Sequence, residues 1–312
     1  MSQFLSDVLR GLSAKDKFLQ SKYFYDEKGD KLFQKIMGSE EYYPTRCEME
    51  IFTRETNELV AVLTERQTEF DIVELGAGDA TKSIHLLKGL LDNKVTFTYF
   101  PVDISNNVIS QLHQNLPEKL PGLDLKGLNG EYFDMLEKAK TLSDKIKVVL
   151  FLGSNIGNVA LDKAGEFAKA LRGHLKQGDL VLIGFDLKKD PITILNAYND
   201  KAGFTRDFNL NLLARINEEL QGDFCLNNFY HYPTYDPLTG ACRSYLVSSR
   251  NHQVSVAGHV FEFTDGEPIS MEISQKYTVD QTDELATQNG FTPLHHFYDS
   301  KKWFLDAIWR CV

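Results

Sequence analysis

The sequence has few cysteines and lacks the histidine spacings that metal sites use. Its four cysteines are Cys47, Cys225, Cys242 and Cys311. They are scattered and form no CxxC pair, which is typical of free thiols in a reducing compartment, so we expect a cytoplasmic chain. The eight histidines show no HxH or HExxH spacing. The adjacent His295 and His296 would face opposite ways on a strand, and the sequence predicts no metal site.

Positive charge and long apolar runs are also missing. The chain carries 34 basic and 44 acidic residues, a net charge of −10. This balance argues against binding to the phosphate backbone, so we expect no nucleic-acid partner. The longest apolar runs, such as VVLFL, are too short to span a bilayer. The N-terminal stretch MSQFLSDVLRGLSAKDKF is polar and mixed in charge. We therefore expect that it is not a signal peptide and that the protein does not associate with a membrane.

The middle of the chain alternates apolar strands with helices. Predicted strands FDIVEL (70–75), VTFTYFPVDIS (95–105), IKVVLFLGSNIGN (146–158) and DLVLIGFDL (179–187) are separated by helical patterns. Near-continuous apolar strands of this kind indicate a parallel sheet that is covered on both faces. The sequence predicts a doubly wound α/β core with its ligand site at the carboxyl ends of the strands.

The flanking segments indicate a second domain. Residues 1–57 have a helical pattern, and Asp190-Pro191 is a predicted helix start before two further helices. Residues 224–278 are rich in strand-forming residues, and Asp265-Gly266 predicts a hairpin there. We therefore expect a core of residues 58–196 and 281–312, and an α+β substrate-binding cap of residues 1–57 and 197–280.

The stretch SMEISQKYT predicts a strand with a polar face. Alternation would put Met271, Ile273 and Tyr277 on one face and Glu272, Ser274 and Lys276 on the other. One interpretation is a solvated face, since Glu and Ser are mostly exposed. The other is that Glu272 and Ser274 face a ligand.

A glycine-rich turn follows the first core strand. The pattern Glu74-Leu75-Gly76-Ala77-Gly78 lets the backbone approach a ligand closely. The dinucleotide fingerprint requires a third glycine where this chain has Thr81, which disfavours NAD. Asp103 ends the next strand, the usual position of an acid that accepts ribose hydroxyls, although an acid near a helix N-terminus is the alternative. Together these features favour S-adenosyl-L-methionine over NAD.

Two further segments have a functional and a structural interpretation. FLGSNIGN (151–158) follows a buried strand, so its glycines and Asn155 or Asn158 would lie beside a cofactor; a turn that requires glycine and asparagine is the alternative. EYYPTR (41–46) puts two tyrosines before a proline, and these side chains would either contact a ligand or pack in the core.

These segments, taken in order, resemble one family. FYDEKGDKLFQKI…EEYYPTRCEMEI, ELGAGDATKS, PVDIS, FLGSNIGN, DLKKDPITILNAYND…FNLNLLARIN and MEISQKY together resemble the histidine-specific methyltransferase family, from about residue 20 to the C-terminus. The resemblance implies a monomeric class I methyltransferase with a Rossmann-like sheet. It also implies transfer of methyl groups from S-adenosyl-L-methionine to the α-amino group of L-histidine, giving N,N,N-trimethylhistidine (hercynine), as in ergothioneine biosynthesis.

The resemblance also implies roles for individual residues. Those matching cofactor-binding positions are Tyr25, Gly76, Gly78, Lys82, Asp103, Glu131 and Tyr132. Those matching substrate-binding positions are Phe33, Tyr42, Gly153, Asn155, Asn158, Tyr198, Ser244, Glu272 and Ser274. Among these, Tyr42, Asn158 and Tyr198 would hold the α-amino and carboxylate groups and act as the catalytic set, while Glu272 and Ser274 would grip the imidazole.

Four residues depart from the family pattern. Glu131-Tyr132 replaces the usual Asp-Phe, Asn155 replaces Thr, and Ser244 replaces Met. The last two would make the substrate pocket more polar, which would suit an altered imidazole. The alternatives to histidine methylation are a same-family enzyme for another amino acid or a histidine derivative, a non-catalytic adenosylmethionine-binding protein, and an NAD-dependent oxidoreductase.

Overall fold

Helices and strands alternate through most of the chain. The structure is a computed structural model that describes residues 2–312. The α-helices are α1 (Gln3–Ser13), α2 (Glu27–Met37), α3 (Tyr43–Arg54), α4 (Thr56–Thr64), α5 (Ser83–Asp92), α6 (Asn106–Lys119), α7 (Tyr132–Leu142), α8 (Leu161–Gly173), α9 (Pro191–Ala197), α10 (Phe204–Leu220) and α11 (Val279–Gln288). The β-strands are β1 (Glu69–Leu75), β2 (Thr96–Asp103), β3 (Asp124–Leu125), β4 (Leu128–Asn129), β5 (Lys147–Phe151), β6 (Leu180–Asp186), β7 (Phe229–Asp236), β8 (Ala241–Ser248), β9 (His252–Val256), β10 (His259–Phe263), β11 (Pro268–Gln275), β12 (Phe291–Tyr298) and β13 (Phe304–Cys311). In the part of the chain that is described, no helix is both long and apolar enough to cross a membrane.

The chain forms two compact units. The sheet unit comprises Pro44–Lys188 and Gln275–Val312, and the insert unit comprises Met1–Tyr43 and Lys189–Ser274. These boundaries differ from the predicted ones: residues 44–57 and 275–280 belong to the sheet unit, and residues 189–196 to the insert unit.

Two contacts explain the differences in the sheet unit. A Cβ on Gly89 of α5 would lie only 2.7 Å from the Thr56 methyl group, so α4 packs closely on α5. The N–H of Tyr277 donates to the carbonyl of Asp186 at 3.1 Å, which ties the segment after β11 to β6. Residues 44–57 and 275–280 are therefore held by the sheet and its covering helices.

A mostly parallel sheet organises the sheet unit. Its strand order is β12-β13-β6-β5-β1-β2-β3, with β4 also paired to β2. The strands from β1 to β6 pair in parallel, and β13 runs antiparallel to both β6 and β12. This confirms the predicted doubly wound α/β class. The chain leaves β1 toward β2 on one side and returns through β5 on the other, so the carboxyl ends of β1 and β5 form the switch point where such sheets bind ligands.

The insert unit combines helices with two small sheets. Strands β7, β8 and β11 form one sheet in the order β11-β8-β7, and β9 and β10 form the other. Apolar residues of α1, α2 and α10 share one core with these strands, among them Val8, Ile36, Leu212 and Met271. Asp190 caps α9 by accepting from the N–H of Thr193 at 2.7 Å, which confirms the predicted helix start.

The hairpin predicted at Asp265-Gly266 is wrong. The strands on either side belong to different sheets, because β10 pairs with β9 whereas β11 neighbours β8. The N–H of Gly266 donates to the carbonyl of Ser248 at 2.8 Å. The turn therefore passes the chain from one sheet to the other.

The polar face predicted for SMEISQKYT ends earlier than expected. Strand β11 stops at Gln275, and the buried Lys276 beyond it pairs with Asp186 at 2.7 Å. Ser274 is buried and Glu272 is half-buried, so neither has the exposure of a solvated strand face.

Candidate functional site

The glycine turn after β1 brings three segments of the sheet unit together. Gly76 has φ +74° and Gly78 has φ +53°, a conformation that favours glycine. A Cβ on Gly76 would lie 3.0 Å from the amide nitrogen of Asn155 and 3.0 Å from the hydroxyl of Tyr132. Asn155 follows β5 and Tyr132 begins α7, so predicted cofactor and substrate residues adjoin at the switch point.

Asp103 is fixed by the backbone at the end of β2. Its carboxylate accepts from the N–H of Gly78 at 3.2 Å and from the N–H of Ser105 at 2.9 Å. Burial raises the pKa of Asp103, and this effect is larger than the lowering by the two hydrogen bonds. The N-cap of α6 is Ser105 and not Asp103, since the Ser105 hydroxyl accepts from the N–H of Val108. Asp103 is therefore near the N-terminus of α6 but is not its cap, and its carboxylate lies against the glycine turn.

The segment before α7 is tied to the same strand end. The side-chain amide of Asn129 donates to the carbonyl of Asp103 at 2.9 Å, and Glu131 is the N-cap residue of α7. The Tyr132 ring packs edge-on against Phe151, with centroids 5.5 Å apart. Burial, with the nearby charges of Asp103 and Glu131, raises the pKa of the Tyr132 phenol, so it stays a neutral hydrogen-bonding group.

The loop after β5 has the turn geometry that both of its interpretations require. Gly153 has φ +73° and Ser154 has φ 56°, and Asn155–Asn158 forms one 3-10 turn. The Ser154 hydroxyl accepts from the N–H of Asp186 at 3.1 Å, which anchors the loop to β6. Asn155 is half-buried and Asn158 is exposed.

Lys82 has a buried carboxylate as its partner. Its ammonium forms an ion pair with Glu48, which is fully buried on α3. Burial lowers the pKa of Lys82, but the Glu48 charge more than offsets this, and the net pKa is raised. Lys82 therefore remains a cation at the start of α5, in the segment that follows the glycine turn.

Predicted residues of the insert unit form a row of aromatic rings. Tyr25 lies edge-on to Phe33 at 5.7 Å between centroids, Phe33 to Tyr42 at 6.5 Å, and Tyr42 to Tyr198 at 6.0 Å. Edge-to-face pairs at such distances are favourable beyond their burial. Tyr25 was predicted to bind the cofactor, yet it is in this unit, whereas the other predicted cofactor residues are in the sheet unit.

The row ends at a hydrogen bond to β11. The hydroxyl of Tyr198 donates to the hydroxyl of Ser274 at 2.6 Å, and both residues are buried. The Nε2 of His231 donates to the Tyr198 carbonyl at 2.9 Å and holds the end of α9 in place. Ser244, predicted in the same pocket, is buried on the neighbouring strand β8.

Comparison with known proteins identifies the family. The family model described as "Histidine-specific methyltransferase, SAM-dependent" matches residues 4–311. The chain belongs to the histidine-specific, SAM-dependent methyltransferases. It is 32% identical over 295 residues to "Histidine N-alpha-methyltransferase" of Mycolicibacterium smegmatis, covering 94% of this chain and 90% of that protein.

Two further relatives of this methyltransferase have related names. It is 33% identical over 273 residues to "Histidine N-alpha-methyltransferase" of Mycobacterium tuberculosis, covering 87% of this chain and 83% of that protein. It is 32% identical over 275 residues to "Ergothioneine biosynthesis protein 1" of Neurospora crassa, covering 85% of this chain but only 30% of that longer protein.

The sheet unit of the methyltransferase fits an adenosyl cofactor that carries an amino acid. A side chain at Gly76 would crowd Asn155 and Tyr132 and would be strained at its positive φ. Asp103 presents a carboxylate that can accept from hydroxyls, and Lys82 supplies a cation that can pair with a carboxylate. Within residues 2–312, no group of three or more His, Cys, Asp or Glu side chains is arranged to hold a metal ion.

Three residues that contact or surround the predicted site residues were not predicted from the sequence. Glu48 and Asp306 are buried carboxyl groups near Lys82, and His231 supports Tyr198. Two signals were available: Asp306 interrupts the apolar strand FLDAIW, and Gly184 interrupts LIGFD. A charge or a glycine inside a buried strand indicates a close approach by another group.

Proposed function

We propose that this methyltransferase transfers methyl groups from S-adenosyl-L-methionine to the α-amino group of L-histidine. The product would be N,N,N-trimethylhistidine (hercynine), as in ergothioneine biosynthesis. The names of two relatives at 32% and 33% identity support this acceptor, since both cover more than four fifths of this chain.

One observation of the structure supports the proposal most. The buried hydroxyls of Tyr198 and Ser274 are 2.6 Å apart. Tyr198 is expected to contact the α-amino and carboxylate end of the substrate, and Ser274 is expected to contact its imidazole. A direct hydrogen bond between them suits a single small substrate that contacts both.

The imidazole would be recognised by Glu272 and Ser274. A carboxylate accepts from a ring N–H, while a hydroxyl can donate or accept, so together they satisfy both nitrogens of a neutral imidazole. An indole or a phenol would leave one of these groups without a partner. With the ring nitrogens occupied, the α-amine is the nitrogen that remains for methylation.

The amino-acid end would be held by Tyr42, Tyr198 and Asn158. Fixing the carboxylate and the amine in one orientation supplies the proximity effect on which such a transfer depends. We assign no strong general base, and the ammonium loses its proton to water before the transfer. The aromatic rings of Tyr42 and Phe33 would tolerate the cation that grows with each added methyl group.

The cofactor would be held in the sheet unit. Asp103 would accept from the ribose hydroxyls, Lys82 would pair with the carboxylate, and Gly76 and Gly78 would leave room for close backbone approach. Tyr132 and Glu131 would border the adenine, and Gly153 and Asn155 would line the acceptor side. When bound, the sulfonium supplies an already activated methyl group.

Mass spectrometry tests this assignment. The protein is incubated with S-adenosyl-L-methionine and each of the twenty amino acids separately, and any product is fragmented. We expect added methyl mass with L-histidine, located entirely on the α-nitrogen. Ring-methylated histidine would contradict the assigned orientation of the substrate.

Other outcomes separate the alternatives. Methylation of tryptophan or another amino acid in preference to histidine would indicate a same-family enzyme with a different acceptor. Saturable binding of S-adenosyl-L-methionine without any product would indicate a binding protein. Binding of NAD in its place would contradict the cofactor assignment.

A further inference from the structure

A fully buried carboxylate lies beneath the cofactor residues of the sheet unit. Glu48 on α3 accepts from the Gly153 N–H at 2.7 Å through Oε1 and at 3.0 Å through Oε2. Its Oε2 is also the ion-pair partner of the Lys82 ammonium. The Glu48 carboxylate therefore binds both the Lys82 side chain, which follows β1, and the Gly153 N–H, which follows β5.

A second buried carboxyl group lies beside Glu48. Asp306 on β13 is fully buried, and no N–H or hydroxyl donor among residues 2–312 reaches either of its oxygens. The charges of Glu48 and Lys82 act on Asp306, and the charge of Glu74 acts on Lys82. Burial and the Glu48 charge raise the pKa of Asp306 well above its ordinary range, so Asp306 carries a proton that it can donate to Glu48.

Glycine at position 184 makes the approach of these two groups possible. A Cβ on Gly184 would overlap Oε1 of Glu48 and would lie 3.1 Å from Oδ1 of Asp306. Gly184 pairs directly with Asp306 across β6 and β13. From Leu180 to Phe185, strand β6 is otherwise apolar, and its glycine is explained by the space that Glu48 occupies.

We propose that Glu48 is a positioning residue of the cofactor site, which uses a proton shared with Asp306 to hold the Lys82 ammonium and the Gly153 N–H. This inference rests on the proposed function, in which Lys82 pairs with the cofactor carboxylate. Lys82 has a flexible four-carbon stem, and a buried carboxylate fixes its end in one place. With the proton on Asp306, the three side chains Glu48, Lys82 and Asp306 together carry no net charge.

The isosteric variant Glu48→Gln tests this role. An amide is neutral and has one acceptor oxygen where the carboxylate has two, so the variant loses the ion pair with Lys82 and one of the two oxygens that the Gly153 N–H reaches. Calorimetry with S-adenosylhomocysteine and with 5′-methylthioadenosine, which lacks the amino-acid part, separates the effect on the carboxylate from the effect on the nucleoside. We expect E48Q to weaken S-adenosylhomocysteine binding about tenfold or more and 5′-methylthioadenosine binding by less than about twofold.

Two matched variants sharpen the result. Glu50 lies on the same helix, is only half-buried and pairs with Arg54, so Glu50→Gln should leave both affinities unchanged. Asp306→Asn puts an amide donor where the shared proton was, so S-adenosylhomocysteine affinity should stay close to that of the parent. The infrared band of a protonated carboxyl, recorded at pH 8, should be lost in D306N.

The outcomes separate this inference from the proposed function. Equal losses for both ligands in E48Q, or tighter S-adenosylhomocysteine binding, would overturn the positioning role, because Glu48 would then be structural or would compete for Lys82. An unchanged infrared band in D306N would overturn the shared proton. A parent protein that binds neither ligand would overturn the proposed function and this inference together.

Discussion

The candidate functional residues of the sheet unit and those of the insert unit are of different chemical types. In the sheet unit, most of the residues lie at the ends of neighbouring strands: they are glycines with positive φ, backbone donors and buried carboxyl groups such as Glu74, joined by Glu48 from α3. In the insert unit, they are aromatic rings and hydroxyls that come from residues as far apart as Tyr25 and Ser274. The first arrangement suits a charged cofactor of constant structure.

The second arrangement suits an acceptor whose identity depends on side chains. Rings in edge-to-face contact and a Tyr198–Ser274 hydrogen bond define shape and polarity, with little backbone participation. Changes in the sheet unit should therefore affect every substrate alike, and changes in the insert unit should affect one substrate more than another. Variants in each unit test this difference.

Replacing Glu272 by Ala should produce the largest effect and should be selective. A site built to hydrogen-bond a polar group discriminates by up to about 10⁴-fold against analogues that lack it. We expect kcat/KM for histidine to fall by about 10³-fold, with activity toward tryptophan or phenylalanine unchanged or improved. Steady-state kinetics with the three amino acids measures this.

The control for this variant is Glu262→Ala on β10 of the same unit, where the exposed side chain accepts from Gln253. It should leave both activities and the melting temperature unchanged. Equal losses for histidine and tryptophan in Glu272→Ala would show that Glu272 supports the fold and does not select the ring.

Replacing Asp103 by Ala should weaken cofactor binding whatever the acceptor. Loss of two hydrogen bonds from ribose hydroxyls, partly replaced by water, corresponds to about 2–4 kcal/mol. Calorimetry with S-adenosylhomocysteine measures the affinity. Asp124→Ala, which removes the 2.7 Å bond from Thr98 near the start of the same strand, is the control and should not change affinity. An unchanged affinity in Asp103→Ala would contradict the cofactor site.

Replacing Glu74 by Gln should change how stability depends on pH. Burial raises the pKa of Glu74 from 4.5 to about 7, against the hydrogen bonds from the Tyr99 and Ser83 hydroxyls. The folded protein then holds a proton that the unfolded chain loses above pH 4.5, so the parent loses stability between pH 4.5 and 7. Relative to E74Q, we expect the parent to lose about 1–3 kcal/mol between pH 5 and pH 8, measured by urea unfolding.

The matched variant in the insert unit should show the opposite sign. Burial raises the pKa of Glu267, but the Lys17 ammonium and the Thr264 N–H overcome this and leave it lowered. The parent should therefore gain stability over Glu267→Gln as pH rises from the lowered pKa of Glu267 to the ordinary carboxyl pKa of 4.5, keep that advantage at higher pH, and lose it in acid. The same sign for both variants would contradict the assigned environments.

Replacing Tyr198 by Phe should have the smallest of these effects. The ring and its contact with Tyr42 remain, while one buried hydrogen bond to Ser274 is lost, which costs about 1 kcal/mol. We expect kcat/KM for histidine to fall about tenfold, with S-adenosylhomocysteine affinity unchanged. A loss of cofactor affinity in calorimetry would contradict a role confined to the acceptor.

Much of the sheet unit could be predicted because its signals are local. The run FDIVEL, the Gly76–Gly78 turn and the acid at Asp103 are contiguous patterns whose conformations depend on nearby residues. The hairpin at Asp265-Gly266 could not be predicted correctly, because which strand each neighbour pairs with depends on distant residues. For the same reason, the sequence could not decide whether Glu272 and Ser274 are exposed to solvent.

The sequence by itself determined the order of strands and helices, the two glycine turns and the family. The strands, helices and turns depend on local conformational preference and on apolar periodicity, both of which lie along the chain, whereas the family was indicated by the resemblance of its ordered motifs. Only the tertiary structure decided that Glu48, Gly153 and Asp306, separated by more than a hundred residues at each step, meet around Lys82. It also decided that Tyr198 reaches Ser274. Burial and pairing depend on which distant elements pack together, and that is a property of the folded chain as a whole.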